Sequence, residues 1–185
     1  MKIFALLLGL GLILIQGVAL AQDAFVSPQS VAVEDADTLL VELDGRTYRV
    51  QLVDIDAPES VPNPKLQRDV ERTGLDSAAL LALGQAADAA LTGLLAEFRP
   101  YRLSFQPEAP DRYGRIPGEL YAADGRALST ELVARGYAIP LPGRPEPAAS
   151  PLERALEIAR SNRLGLWASE APAFAAWAGM TAGRP

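Results

Sequence analysis

From residue 30 onwards, apolar and polar residues alternate in short stretches, and the period of the alternation changes along the chain. Residues 30–33, Thr38–Leu43 and 46–55 are short β-rich stretches of apolar and β-branched side chains set between polar residues, which predicts three strands. Asp44-Gly45, between the second and third, is a hairpin signal, because a two-residue turn of the right twist needs positive φ at both positions. Residues 60–74 hold two prolines, an asparagine and several charges without a sustained apolar period, and read as an exposed loop. Over residues 77–98 the period lengthens: Leu80, Leu83, Ala87, Leu91, Leu94 and Leu95 fall on one side of a helix.

Beyond that helix, Tyr101–Phe105 alternates as a fourth strand. Residues 107–114 are rich in turn formers, and 119–122 give a fifth strand closed by Asp124-Gly125. Residues 128–135 predict a short helix stopped by Gly136. Ser150-Pro151-Leu152-Glu153 joins an N-cap, a first-turn proline and a glutamate at the third helical position, so a further helix runs to about Asn162. After Trp167 the chain is rich in Ala, Gly and Pro and reads as a loosely ordered tail over 169–185. Five short strands with about three helices predict an α+β domain over residues 31–168, built on a five-stranded barrel of OB type.

The N-terminus follows another rule. Lys2, an apolar run from Ile3 through Ile15 to Val18, and the small-residue site Ala19-Leu20-Ala21 read as a secretory signal over 1–21, with 22–30 as a leader to the domain. The apolar run is also nearly long enough for an uncleaved membrane anchor. Cleavage would give a secreted or periplasmic protein, with no stable membrane association and no need of a partner subunit.

Composition narrows the chemistry. With no cysteine the chain has no disulfides, and with no histidine it has neither a Ser-His-Asp triad nor the usual zinc ligands. Hydrolysis would have to run on carboxylates, arginines and oxygen-bound cations such as calcium or magnesium. The net charge is −6, and removing residues 1–21 leaves 16 basic against 23 acidic residues, or −7. Tight nonspecific binding to duplex DNA is therefore disfavoured unless basic residues gather on one face.

Three stretches carry candidate chemistry. Glu34-Asp35-Ala36-Asp37-Thr38 lies between two strands and, taken alone, describes a turn whose aspartates bond their own backbone. Asp54-Ile55-Asp56-Ala57-Pro58-Glu59 ends a β-rich run in carboxylates, which must either face water or meet a cation. Asp111-Arg112-Tyr113-Gly114-Arg115 sets two guanidiniums about a glycine; it is either a solvated basic turn or a phosphate contact.

In this order, together with Gly84-Gln85-Ala86, Leu132-Val133-Ala134-Arg135-Gly136 and Gly165-Leu166-Trp167-Ala168, these stretches resemble the staphylococcal nuclease family from about residue 31 to 167. The resemblance implies an OB-type barrel that cuts single-stranded or frayed DNA and RNA with calcium. It implies Asp37, Asp56 and the Ala57 backbone carbonyl as metal ligands, and Glu59 as general base. Arg115 would contact the phosphate, and Arg112 and Tyr113 would line the nucleotide pocket.

The chain departs from the family at three places. Gln51 stands where a second phosphate-binding arginine is expected, and a neutral amide does not neutralise transition-state charge. Arg49 on the same strand face, or Lys65, Arg68 or Arg72 from residues 60–74, are candidate substitutes; a module that binds metal, nucleic acid or a protein without cutting is the alternative reading. The tyrosines expected after Gly136 to cover the base are replaced by Tyr137-Ala138-Ile139-Pro140, and Asp54 adds a negative charge beside the expected metal.

Overall fold

A computed structural model describes residues 22–26, 30–105, 108, 110–141 and 150–180, the first five by their backbone alone. The strands among the described residues are β1 (Gln22–Val26), β2 (Val31–Asp35), β3 (Thr38–Leu43), β4 (Arg46–Leu52), β5 (Ile55–Asp56), β6 (Tyr101–Phe105), β7 (Arg115–Tyr121) and β8 (Ile139–Pro140). The helices among them are α1 (Pro64–Thr73), α2 (Ser77–Glu97), α3 (Leu128–Ala134), α4 (Pro151–Ser161), α5 (Leu166–Ser169) and α6 (Ala171–Trp177). The class is α+β, as the pattern predicts.

Six strands form one sheet in the order β1-β6-β7-β4-β3-β2, and β5 pairs with β8 apart from it. The predicted turn joins β3 to β4, with Asp44 and Gly45 at φ of 51° and 72°. β4 and β7 run parallel, with Arg49 opposite Arg115 and Gln51 opposite Pro117. The other pairs in this sheet are antiparallel. Among the described residues β1 and β2 are the sheet's outer edges, so the expected five-stranded barrel of OB type with about three helices is corrected to a sheet that does not close, with six helices. The extra strand comes from the segment read as a leader, whose residues 22–26 pair with β6.

Leu39, Val41, Val50, Leu52, Leu103 and Leu120 are almost fully buried and share one hydrophobic cluster with Leu80, Leu83, Ala87, Leu91 and Leu94 of α2. The helix therefore buries the stripe its 3.6-residue period predicts. Gly84 interrupts the stripe because a Cβ there would lie 2.1 Å from the Glu59 carbonyl oxygen. The close crossing of this backbone over α2 fixes the start of the segment carrying Glu59.

Two segments read as irregular are helical. Residues 64–73 form α1, which Asn63 starts by accepting from the Lys65 and Leu66 backbone N–H groups, with Pro64 in the first turn and Gly74 closing at φ 71°. That helix has few apolar residues because it lies over the site and buries only Leu66 and Asp69. After Trp167, α6 buries Phe174 and Trp177. Trp167 meets Phe174 edge-on at 4.7 Å, and Phe174 stacks on Trp177 at 5.4 Å. Three aromatics in eleven residues outweigh the Ala, Gly and Pro content that suggested a tail. The expected signal, most of the proline-rich segment after Leu141 and the last five residues lie outside the described residues.

Candidate functional site

Asp37 sits in the turn between β2 and β3, tied to the end of β4 by a 2.8 Å bond from the Leu52 N–H to its carbonyl oxygen. Its carboxylate accepts from the Thr38 hydroxyl at 2.9 Å. Asp56 ends β5, which β8 supports by pairing Asp56 with Ile139, while the Leu141 N–H reaches the Asp54 carbonyl at 2.8 Å. The segment after Gly136 thus backs the carboxylate strand. Glu59 lies beyond Pro58 on the backbone that crosses Gly84, and its carboxylate accepts from the Asn63 side-chain amide.

The fold brings two of the three predicted carboxylates, Glu59 and Asp56, onto one cation, Lys65. Its Nζ lies 2.9 Å from Glu59 Oε1, 3.1 Å from Asp56 Oδ1 and 3.0 Å from the Ala57 carbonyl oxygen. Asp69 Oδ2 is further off at 3.7 Å. Asp37 completes the group electrostatically: Asp56 pushes its carboxyl up and Lys65 pulls it down. Asp69 also accepts from Arg72 at 2.8 Å and from the Trp177 indole N–H at 3.1 Å, so α6 braces the helix that supplies Lys65.

Burial is the largest influence on these acids. It raises Asp37 to about 6, with repulsion from Asp56 adding to it, and raises Asp56 in spite of Lys65. Asp35 rises to about 7 through burial and its hydrogen bond and repulsion with Glu59. For Glu59, burial works upward but is outweighed by Lys65, Asn63 and Asp35, which hold it below the usual glutamate range. Near neutral pH Glu59 is ionised and able to accept a proton. Burial alone would lower the Lys65 ammonium, but Asp56, Glu59 and Asp69 leave it raised and firmly charged.

A cavity of about 500 Å³ opens beside this cluster, lined by Glu59, Asn63, Lys65 and four arginines, Arg49, Arg68, Arg112 and Arg115, with Pro64 and Tyr113. Arg115 is held by Asp111, at 3.0 Å through Nε and 2.8 Å through Nη2. Tyr113, 55% exposed, carries Arg112 and Arg115 over its ring at 4.8 and 5.4 Å. Arg49 bonds Glu34 at 2.7 Å through Nε and the Tyr113 carbonyl at 3.0 Å through Nη1. Arg68 and Arg112 form no ion pair among the described residues. Gln51 lines a separate groove of about 320 Å³ with Asp54, Asp111 and Arg115. The structure therefore places Glu59, Arg112, Tyr113 and Arg115 on the cavity, Asp37, Asp56 and Ala57 in the cluster beside it, and Gln51 in the groove that Arg115 also lines; among the charges weighed as its substitutes, it brings Arg49, Lys65 and Arg68 to the cavity.

No group of three or more carboxylates among the described residues is spaced to enclose a metal ion. Asp56 Oδ1 and the Ala57 carbonyl, with Asp37 nearby, are hard oxygen donors of the kind calcium takes. They suit a divalent cation only once the Lys65 ammonium has left them. Asn63, Asp69 and Trp177 are site residues that the sequence reading missed. Asn63-Pro64 was the available signal, as an N-cap followed by a first-turn proline.

Residues 49–169 match the model of the staphylococcal nuclease homologue family. Asp35 and Asp37 precede that span and are joined to it by the sheet. The succinoglycan biosynthesis protein ExoI of Rhizobium meliloti (strain 1021) is 32% identical over 139 residues, which cover 75% of this chain and 63% of that protein. Endonuclease YhcR of Bacillus subtilis (strain 168) is 27% identical over 129 residues, 68% of this chain and 10% of that protein. An uncharacterized endonuclease of Escherichia coli is 30% identical over 143 residues, 77% of each chain.

Proposed function

Because this chain belongs to the staphylococcal nuclease homologue family, we propose that it hydrolyses phosphodiester bonds of DNA or RNA, taking a single-stranded or frayed strand into the arginine-lined cavity. The observation that carries the reading is the cavity itself, where an ionised Glu59 faces Arg49, Arg68, Arg112 and Arg115. Glu59 takes a proton from the attacking water as its oxygen bonds to phosphorus, and the bond to the leaving oxygen breaks. Arg115, fixed by Asp111, stabilises the charge gathering on the phosphate oxygens, with Arg49 beside it in register. Tyr113 offers an exposed ring on which a base can stack.

Asp37, Asp56 and the Ala57 carbonyl are the residues that would hold calcium, which when bound supplies further positive charge to the phosphate. Asp111 acts on geometry, by keeping the Arg115 fork aimed across the cavity.

The test is cleavage of single-stranded DNA by the purified protein in calcium and in chelator. We expect cleavage in calcium, its loss in chelator, and a fall of roughly 10² to 10⁴ in rate for Glu59→Gln. Equal activity of the Glu59→Gln protein would refute the assignment. The second reading, a module that binds without cutting, draws on Gln51 standing outside the cavity; binding of the strand with no cleavage in any metal would favour it. In the same proposal, residues 1–21 export the chain to the periplasm or medium as a monomer. N-terminal sequencing that starts at Met1 would sink the cleaved-signal part, and elution at twice the chain mass the monomer part.

A further inference from the structure

We propose that Lys65 is a resident cation of the carboxylate cluster, which calcium has to displace in order to bind. This rests on the reading of Asp56 and the Ala57 carbonyl as calcium ligands. An ammonium has three hydrogens, and Lys65 has three close oxygen partners: Glu59 Oε1, the Ala57 carbonyl and Asp56 Oδ1, at 2.9 to 3.1 Å. Two of these are the oxygens assigned to the metal. A divalent ion and an ammonium cannot both lie within bonding distance of the same two oxygens without severe repulsion, so the two states exclude each other.

The placement of Lys65 is built in. It is the second residue of α1, just after the Asn63 cap and Pro64, and the Asn63 amide bonds the other oxygen of Glu59. Further along α1, Asp69 is fastened to the Trp177 indole N–H and to Arg72, which itself donates to the Trp177 carbonyl at 2.8 Å. The Trp177 ring lies 5.5 Å from Nζ. Asp37, Asp56 and Glu59 are largely buried, and unpaired they would repel one another and resist burial. Lys65 keeps the cluster assembled without a metal, at the expense of metal affinity.

Two effects of opposite sign follow for a neutral side chain at this position. The metal-free protein loses its compensating charge and melts lower, while calcium no longer competes with an ammonium and binds tighter. A lysine with only a structural role would show the first effect without the second.

The experiment titrates calcium chloride calorimetrically into the purified protein, Lys65→Met and Lys65→Gln near neutral pH, and records melting of each with and without calcium. The expected result is a gain in calcium affinity of roughly tenfold or more for both variants, the scale of one lost charge-assisted contact. Their lower metal-free melting temperatures should also rise more on calcium addition than that of the parent. Lys65→Gln keeps hydrogen-bond donors to the cluster and serves if the methionine variant fails to fold. Affinity equal to or below the parent's in a folded variant overturns the proposal, as does the absence of calcium binding in every form. Cleavage measured on the same samples separates the two readings: cutting with unchanged affinity sinks only the role of Lys65, and tighter calcium binding without cutting sinks only the nuclease.

Discussion

The positive charge that Gln51 does not supply is, at the level of single residues, a question about Arg49. In the parallel register of β4 and β7, Arg49 lies opposite Arg115, and both line the cavity that holds Glu59. Gln51, two residues on, faces the separate groove with Asp54 and Asp111. Contacts to Glu34 and Tyr113 engage Nε and Nη1 of Arg49 and aim its fork while leaving Nη2 for a phosphate oxygen. On the proposed nuclease reading, Arg49 takes the role of the second phosphate cation. Arg49→Gln should lower kcat/KM on single-stranded DNA by roughly 10², the scale of losing one preorganised transition-state donor. Gln51→Arg should change it by less than about tenfold. A large gain from Gln51→Arg, with little loss from Arg49→Gln, would reverse the assignment and leave the native enzyme short of one cation.

Among the elements, α1 and α6 decide how the site is held, and the hydrophobic pattern concealed both. The strand Thr38–Leu43 was legible as a short apolar run beside a hairpin turn, and Tyr101–Phe105 because one face is buried, which leaves period-2 alternation. The long helix was legible for the same reason at its own period. α1 buries only Leu66 and Asp69, and α6 only Phe174 and Trp177, too little in either case to generate a period. Their signals were local instead: the Asn63 cap with Pro64, and aromatic spacing from Trp167 to Trp177. Motif order made the carboxylates and Arg115 legible, but the contact of Lys65 with them depends on helix docking across many residues, which no local pattern encodes. The docking is testable at Trp177, which is 3% exposed, stacks on Phe174 and donates to Asp69. Trp177→Phe keeps the stack and removes one hydrogen bond to a carboxylate, so it should cost about 1.5 to 3 kcal/mol. Trp177→Ala should cost about 3 to 5 kcal/mol in denaturant unfolding. Equal, small losses for the two would mean that α6 is not bracing α1.

Over the whole molecule, a net charge of −6 has to be reconciled with the proposed polyanionic substrate. The reconciliation lies in how the charges are distributed. Lys65 is engaged by Glu59, Asp56 and the Ala57 carbonyl, Arg49 is paired with Glu34, and Arg115 with Asp111, so each contributes only part of a charge to an incoming strand. Arg68 and Arg112 line the same cavity without ion pairs among the described residues. The cavity thus presents roughly two to four effective positive charges, while the rest of the surface is net negative and repels additional phosphates. Counterion release then gives a log-log slope of binding against salt of about −0.7 per phosphate neutralised on a single strand, or roughly −1.5 to −3 in total. Fluorescence anisotropy of a short labelled single-stranded oligonucleotide, measured across a salt series with catalysis blocked by Glu59→Gln, reads this slope directly. If the cavity is the strand's principal seat, lengthening the oligonucleotide beyond it should leave the slope unchanged. Arg68→Gln and Arg112→Gln should each reduce the slope by about 0.7. A slope that steepens steadily with oligonucleotide length would mean that the strand is bound along an extended surface and that the cavity is not its principal seat.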